Sequence, residues 1–261
     1  ESPAAVEFVW GGGMMAKVIT VAHLRENTGK TITAIQFAYN LSLEARVLLL
    51  NFGRANHLKR YFEIEYISPL ADYEKLLEGG LDFAHHLSSV SPRLWLIDSS
   101  VEKIIKVGEL FRERVDELKE LLSRSGFEWV IIDTHPFPTH TTYVSMAVCD
   151  YLIIPTTKDF LAFKTIRHTL AAYESVSEDS ERKNVSILLT KVRNDDVETE
   201  DYERFEMKEA VIGQISLENQ DLIGLGWQGL SPGRKVRIRA NFEYRKAIQR
   251  FLMKFNEEMN V

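Results

Sequence analysis

Three consecutive residues, Gly29-Lys30-Thr31, carry the groups a phosphate ester calls for: a lysine ammonium for its charge, a hydroxyl that can ligate Mg²⁺, and flexible backbone whose N–H groups turn toward an anion. They follow an apolar run, Lys17-Val18-Ile19-Thr20-Val21, and precede Ile32 to Leu43, where apolar residues recur at helical spacing. A strand feeding a loop and then a helix places the helix N-terminus and the lysine on the same anion. A second group of the right kind is Asp133, which ends Val130-Ile131-Ile132-Asp133. A carboxylate at the end of a buried strand suits a water-mediated contact to Mg²⁺; its structural alternative is to cap the next turn.

These groups need a rigid frame, and the rest of the pattern supplies one. Strands are expected at Lys17–Ala22, Arg46–Leu50, Leu94–Asp98, Trp129–Asp133, Tyr151–Pro155 and Val185–Leu189. Between them Thr31–Leu43, Glu102–Ser125, Thr141–Val148 and Leu161–Val176 have helical periodicity. Runs such as Val130-Ile131-Ile132 and Leu152-Ile153-Ile154 imply burial on both faces of the sheet. The expected fold class is therefore α/β: a mostly parallel twisted sheet flanked by helices on both faces.

Composition agrees with a large folded core, with 45% hydrophobic and 27% charged residues in a chain of 261. A net charge of −6 gives no whole-molecule attraction to nucleic acid, so any such binding falls to a local patch. The single cysteine, Cys149, excludes an internal disulfide framework and fits a reducing, cytoplasmic setting. No apolar run reaches the roughly 18 residues of a membrane span. Residues 1–14, ending in Gly11-Gly12-Gly13, read as an appended peptide, either expression-derived or a native or engineered partner segment, and residues 15–261 as one domain.

Arg25-Glu26-Asn27-Thr28-Gly29-Lys30-Thr31 resembles the deviant Walker A loop, Lys-Gly-Gly-x-Gly-Lys-Thr, of the ParA/MinD family of partitioning and positioning ATPases. Val130-Ile131-Ile132-Asp133-Thr134-His135-Pro136 is similar to the family's Walker B and switch II segment. Ala147 to Pro155 resembles the helix-to-strand junction that follows, and Ile187-Leu188-Leu189-Thr190-Lys191 the late strand near the nucleotide base. Order and spacing agree over roughly residues 15–255. The resemblance implies ATP (or ADP) with Mg²⁺, cradled by residues 25–32 (Ile32 closing the loop) and by Thr190, the metal held by Thr31 and Asp133. It also implies a homodimer when nucleotide is bound, and an adaptor or stimulating partner protein.

The departures are as informative. Arg25 stands where relatives carry a lysine that reaches the partner's phosphates; arginine brings the same charge on a larger, forked group, or is simply a solvated loop residue. Glu26 and Asn27 replace two glycines. Asn accepts left-handed backbone more readily than Glu. A carboxylate about 4 Å from a phosphate charge costs roughly 4 kcal/mol at an effective dielectric of about 20 unless it turns outward. Leu50-Asn51-Phe52-Gly53-Arg54 lies where relatives have Asp-x-Asp-Pro-Gln, so Asn51 replaces a metal-supporting aspartate and Gly53 the one that positions the attacking water. His23, Arg54 and His135 are nearby candidates for substitute polar roles, with incidental structural roles as the alternative.

The C-terminal region carries Arg234, Lys235, Arg237, Arg239, Arg245, Lys246 and Arg250, opposite in sign to the acidic stretch Asp195–Glu209. If residues 234–239 are extended, their alternation puts the charges on one side, suited to DNA phosphates without base reading; a solvated basic face is the alternative. Ile248, Phe251, Leu252, Phe255 and Met259 form a helical stripe expected to pack on the core rather than enter a membrane. The leading expectation is a ParA-like, nucleotide-dependent dimerising switch for DNA or other cargo, with weak or absent hydrolysis. A pseudo-ATPase scaffold or adaptor is the alternative.

Overall fold

Alternating burial along the strands is what organises this molecule. In Val47–Asn51, for example, Val47 and Leu49 pack to one side and Leu48 and Leu50 to the other, all fully buried. Such strands are stable only with helices over both faces. The computed structural model describes residues 16–53, 58, 62, 71–72, 86–100, 111–177, 184–193, 207, 210–217 and 235–259.

Among these residues the strands are β1 (Lys17–Val21), β2 (Val47–Asn51), β3 (Ala71–Asp72), β4 (Ser88–Ser91), β5 (Leu94–Ser100), β6 (Trp129–Asp133), β7 (Tyr151–Thr157), β8 (Val185–Val192) and β9 (Val211–Ser216). The helices are α1 (Lys30–Leu41), α2 (Phe111–Arg124), α3 (His140–Val148), α4 (Phe160–Glu174) and α5 (Lys235–Met259). The strands form one sheet in the order β3-β5-β2-β6-β1-β7-β8-β9, parallel throughout, with β4 antiparallel on β5. The expected α/β fold is thus present.

One face of the sheet is covered by α1 and α5, through Phe37, Leu41, Tyr244, Phe251 and Phe255. The other is covered by α2 and α3 over β2 and β6, and by α4 over β7 and β8. Ile248, Phe251, Leu252 and Phe255 of the expected α5 stripe pack on this core; the side chain of Met259 lies outside the described set. Phe251 and Phe255 are buried, and their rings meet Trp129 and Tyr151 at centroid distances of 5.0–6.5 Å. Among the described residues no helix is long and apolar enough to cross a membrane.

β9 was not expected from the sequence. Gly213 and Gln214 interrupt its apolar run, yet Gly213 is what seats α5: a Cβ there would lie 2.9 Å from the Ala247 Cβ. Residues 235–240 are helical, not extended, so a two-residue repeat of basic residues does not fall on one side. Residues 1–14, Arg54, Arg234, the first part of the helix expected from Glu102, and nearly all of the acidic stretch lie outside the described residues.

The frame sets the site. β1 lies between β6 and β7, and the chain runs to β2 on one side and to β8 and β9 on the other. Such a switch in strand order opens a crevice beyond the carboxyl ends of the strands, where ligands of open α/β sheets bind.

Candidate functional site

The loop from Ala22 to Gly29 leaves β1 into this crevice and enters α1 at Lys30. Its backbone resolves the substitutions anticipated above. The positive φ values fall on Asn27 (60°) and Gly29 (87°), and Glu26, which takes none, is exposed. Asparagine therefore occupies the left-handed position it tolerates, and the glutamate is spared it. Gly29 is the N-cap of α1 and provides no side-chain cap, leaving the first helical N–H groups, up to Ile32, for another acceptor.

Thr190 sits directly behind this turn. Its hydroxyl donates to the Thr28 carbonyl (2.9 Å) and lies 3.2 Å from the Thr156 carbonyl, and its methyl would be 3.3 Å from a Cβ at position 29. From the end of β8 it braces the loop. Lys30, 7% exposed, points its Nζ back to the Arg25 carbonyl at 2.5 Å. The Arg25 guanidinium turns away from the loop to Asp159, which also accepts from the Thr157 hydroxyl and the Ala162 N–H as the N-cap of α4. Both side chains of this ion pair are over a third exposed, so it contributes at most about 1 kcal/mol.

His23 is fully buried beneath the loop, and neither ring nitrogen has a hydrogen bond of good geometry among the described residues. Burial, reinforced by the Lys30 ammonium, lowers its pKa to about 3 despite the Ala162 backbone. It is neutral at physiological pH and serves as packing, not as a substitute acid or base. His135 contacts Phe137 ring to ring at 5.1 Å.

On the other side of α1, strand register brings the polar ends together. Asp133 pairs in register with Val21 on β1 and with Asn51 on β2, and Asn51 with Asp98 on β5. Asn51, Asp98 and Asp133 are each 1–2% exposed. The Asn51 amide donates to Asp98 Oδ1 at 2.6 Å, and its carbonyl accepts the Gly53 N–H at 2.8 Å. The Thr31 hydroxyl, in the first turn of α1, is near enough to help stabilise the Asp133 carboxylate, whose Oδ1 is buried with no hydrogen-bond partner among the described residues. Burial raises the Asp133 pKa to about 6, countered by Thr31 and Lys30 and reinforced by Asp98. No cluster of three or more His, Cys, Asp or Glu among the described residues could hold a metal alone. Mg²⁺ keeps several waters and takes one or two carboxylates beside substrate phosphates, and the donor types of Thr31 and Asp133 are of that kind. Thr31 with Asp133 is therefore a fitting half-site for a Mg²⁺-bound phosphate.

Asp98 and Asp159 were not singled out in the sequence. Asp98 had a legible signal: like Asp133, it follows an apolar run in a strand. Asp159 had little, since a helix-capping aspartate is common.

Of the C-terminal basic residues, Arg245, Lys246 and Arg250 are exposed on α5. Arg245 Nε donates to Asn40 Oδ1 (3.3 Å), Arg250 to the Ile212 carbonyl (3.4 Å), and Lys246 lies over the Phe242 ring at 4.5 Å. The side chains of Lys235, Arg237 and Arg239 lie outside the described set.

Comparison with known proteins agrees with this fold. A family model described as an AAA domain matches residues 16–187. A search of curated protein sequences finds no match. Among solved structures, a Borrelia burgdorferi B31 protein assigned to plasmid partition and bound to AMPPNP superposes with a TM-score of 0.72 at 20% identity, over 92% of this chain and 99% of that one. McdA of Cyanothece in complex with ATP gives 0.71 at 18% identity, over 91% and 98%. The MinC:MinD cell division complex of Aquifex aeolicus gives 0.69 at 14% identity, over 90% and 96%. By the extent of the family match the chain belongs to this AAA domain family, and its fold is that of the ParA/MinD ATPases.

Proposed function

We propose that the chain is a nucleotide-dependent switch of the ParA type, which binds ATP with Mg²⁺, dimerises in that state and positions DNA or another cargo, with slow or absent hydrolysis. The observation that carries this reading is the convergence on one uncapped helix N-terminus of Lys30, the Thr31 hydroxyl and a buried Asp133 oxygen lacking a partner. Solved structures of the same fold hold AMPPNP or ATP.

In this reading the backbone of residues 28–32 and Lys30 meet the phosphate charge, and Thr31 offers its hydroxyl as a metal ligand. Asp133, through its open oxygen, would help hold the hydrated cation. Mg²⁺, when bound, neutralises phosphate charge. Gly53 supplies no group to orient an attacking water, so positioning, on which phosphoryl transfer depends, is deficient. Glu26 is exposed and lowers affinity only by long-range repulsion. Arg25 acts across a dimer interface only after leaving Asp159, an exchange that costs little because the pair is exposed. Arg245, Lys246 and Arg250, with the basic residues at 234–239, would form the surface for DNA phosphates.

Titration calorimetry with ATP and Mg²⁺ tests the site: saturable binding is expected, and none at millimolar ligand would end this reading. Asn51 and Gly53 favour one other reading, a scaffold or adaptor that has lost turnover. Binding without any ATP-dependent dimer in ultracentrifugation would support it. For DNA, affinity for arbitrary duplex should fall with salt and with charge reversal at Arg245 and Lys246; indifference to both would remove DNA as cargo.

A further inference from the structure

Helices α2 and α4 cover the same face of the sheet, yet their solvent sides differ in composition. On α2 the signs alternate and pair, Arg114 with Glu117 and Arg124 with Glu120, the pattern of a solvated face. Along α4 no acid occurs between Phe160 and Tyr173. Its exposed side carries Phe160, Leu161, Lys164, Arg167 and His168. These positions recur at three- and four-residue spacing and so share one side of the helix. The opposite side, with Phe163, Ile166, Leu170 and Tyr173, is buried in the core.

Phe160 and Leu161 are 59% and 58% exposed. Phe137, 47% exposed, stands just before α3, which packs beside α4. Both helices begin at the carboxyl ends of parallel strands, so these three side chains lie toward one end of the molecule, beside the crevice. Single exposed apolar residues need no explanation, but neighbouring ones rimmed by polar groups mark contact surfaces. Neither Lys164 nor His168 has an acidic partner among the described residues. The basic residues therefore set the sign of what the face attracts, and the apolar pair sets its class.

We propose that the outer side of α4 docks an acidic amphipathic segment of a partner protein, whose apolar side chains meet Phe160 and Leu161 and whose carboxylates meet Lys164, Arg167 and His168. Duplex DNA would use the basic residues and leave the apolar pair in water. A lipid surface calls for an apolar face longer than the single turn that Phe160 and Leu161 provide. From Phe160 to His168 the helix rises about 12 Å, which about two turns of a docked helix would span. Such a contact belongs to the small, transient class of interfaces. Asp159 caps α4 and holds Arg25, so an occupant at Phe160 stands next to the phosphate loop.

This inference needs no ligand in the crevice and stands or falls apart from the nucleotide reading. A random-peptide phage library is selected on the whole chain, and the selected peptides are titrated by fluorescence anisotropy into wild type, Leu161→Ser and the double reversal Lys164→Glu/His168→Glu. The expected peptides carry net negative charge with apolar residues at helical spacing. They should lose about tenfold or more on Leu161→Ser, the worth of one buried leucine. On the double reversal they should lose about threefold or more at low salt, the range of exposed charge pairs. The same peptides with Lys in place of their acids should prefer the reversed protein to wild type, a swap that a folding defect cannot produce. A selection without peptides that depend on α4, or peptides indifferent to both variants or to the charge swap, would overturn the assignment. So would anionic phospholipid vesicles or arbitrary duplex DNA bound by wild type and lost in both variants, which give the face to lipid or nucleic acid. A dimer in ultracentrifugation that the double reversal dissolves would give it to a second copy, and overturn the proposal equally.

Discussion

The two sides of the crevice are built differently. Where β1 passes into α1 stand the groups proposed to grip a phosphate: Gly29 at φ 87°, Lys30, Thr31 and the brace from Thr190. Two and three strands away, at the ends of β2 and β5, the polar set is Asn51 and Asp98, followed by the bare Gly53. Asp133 on β6 lies between and belongs to both. The contrast teaches that grip and cleavage are separable in this fold, because the backbone and one helix terminus supply the first whereas individually placed carboxylates supply the second.

The strongest way to break the comparison is to remove the grip. Lys30→Ala should weaken ATP binding by roughly 10- to 100-fold, from the loss of a charge-assisted hydrogen bond of about 1.5–3 kcal/mol. Calorimetry giving equal affinity in the two proteins would place the ligand elsewhere. The cleavage side is sharpened by Gly53→Asp. A positioned acid–base group typically contributes about 10²- to 10⁴-fold, but the new Cβ would meet Asn51 Oδ1 at 3.1 Å and Asp133 Oδ2 at 3.3 Å. ATP turnover should therefore rise by about tenfold, short of that range, with a lowered Tm. Unchanged turnover in a folded variant would show that this side lacks more than one carboxylate.

The smallest expected effect is on the pH profile of stability, where the two sides have opposite signs. His23 has a folded pKa of about 3 against an ordinary 6.5, so the unfolded chain binds the extra proton and stability falls as pH drops from 6.5 toward 3. Asp133 is raised to about 6 from 3.8, so the folded chain holds the proton and stability falls as pH rises from 3.8 to 6. In the nucleotide-free protein the two partly offset each other in the overlap. His23→Leu should flatten the acid limb of the Tm profile and Asp133→Asn the opposing one; a His23→Leu profile parallel to wild type would show that His23 does not titrate as its burial requires.

The sheet and the turn from β1 into α1 were legible because they rest on strong local signals: continuous apolar runs for β6 and β7, and Gly-Lys-Thr at a strand-to-helix junction. Six strands were expected close to where they lie. β9 was not, because Gly213 reads as a break until Ala247 is seen against it. The basic stretch from residue 235 alternates like a strand but folds as the first turns of α5, where helical continuity with the apolar stripe overrides a local period of two. Asp98 was passed over for a related reason. Its meaning lies in its register with Asn51, a relation between strands 47 residues apart that no local window contains.

The bond from Lys30 to the carbonyl of Arg25 has a consequence for any affinity measured on this protein. The loop's own oxygen takes one of the three N–H donors of the ammonium and holds the side chain folded back on the turn. In the proposed site, the affinity for an anion then includes any cost of turning the lysine from this internal acceptor. Substitutions that only distort the turn between residues 25 and 30 can tighten binding without adding a contact to the ligand.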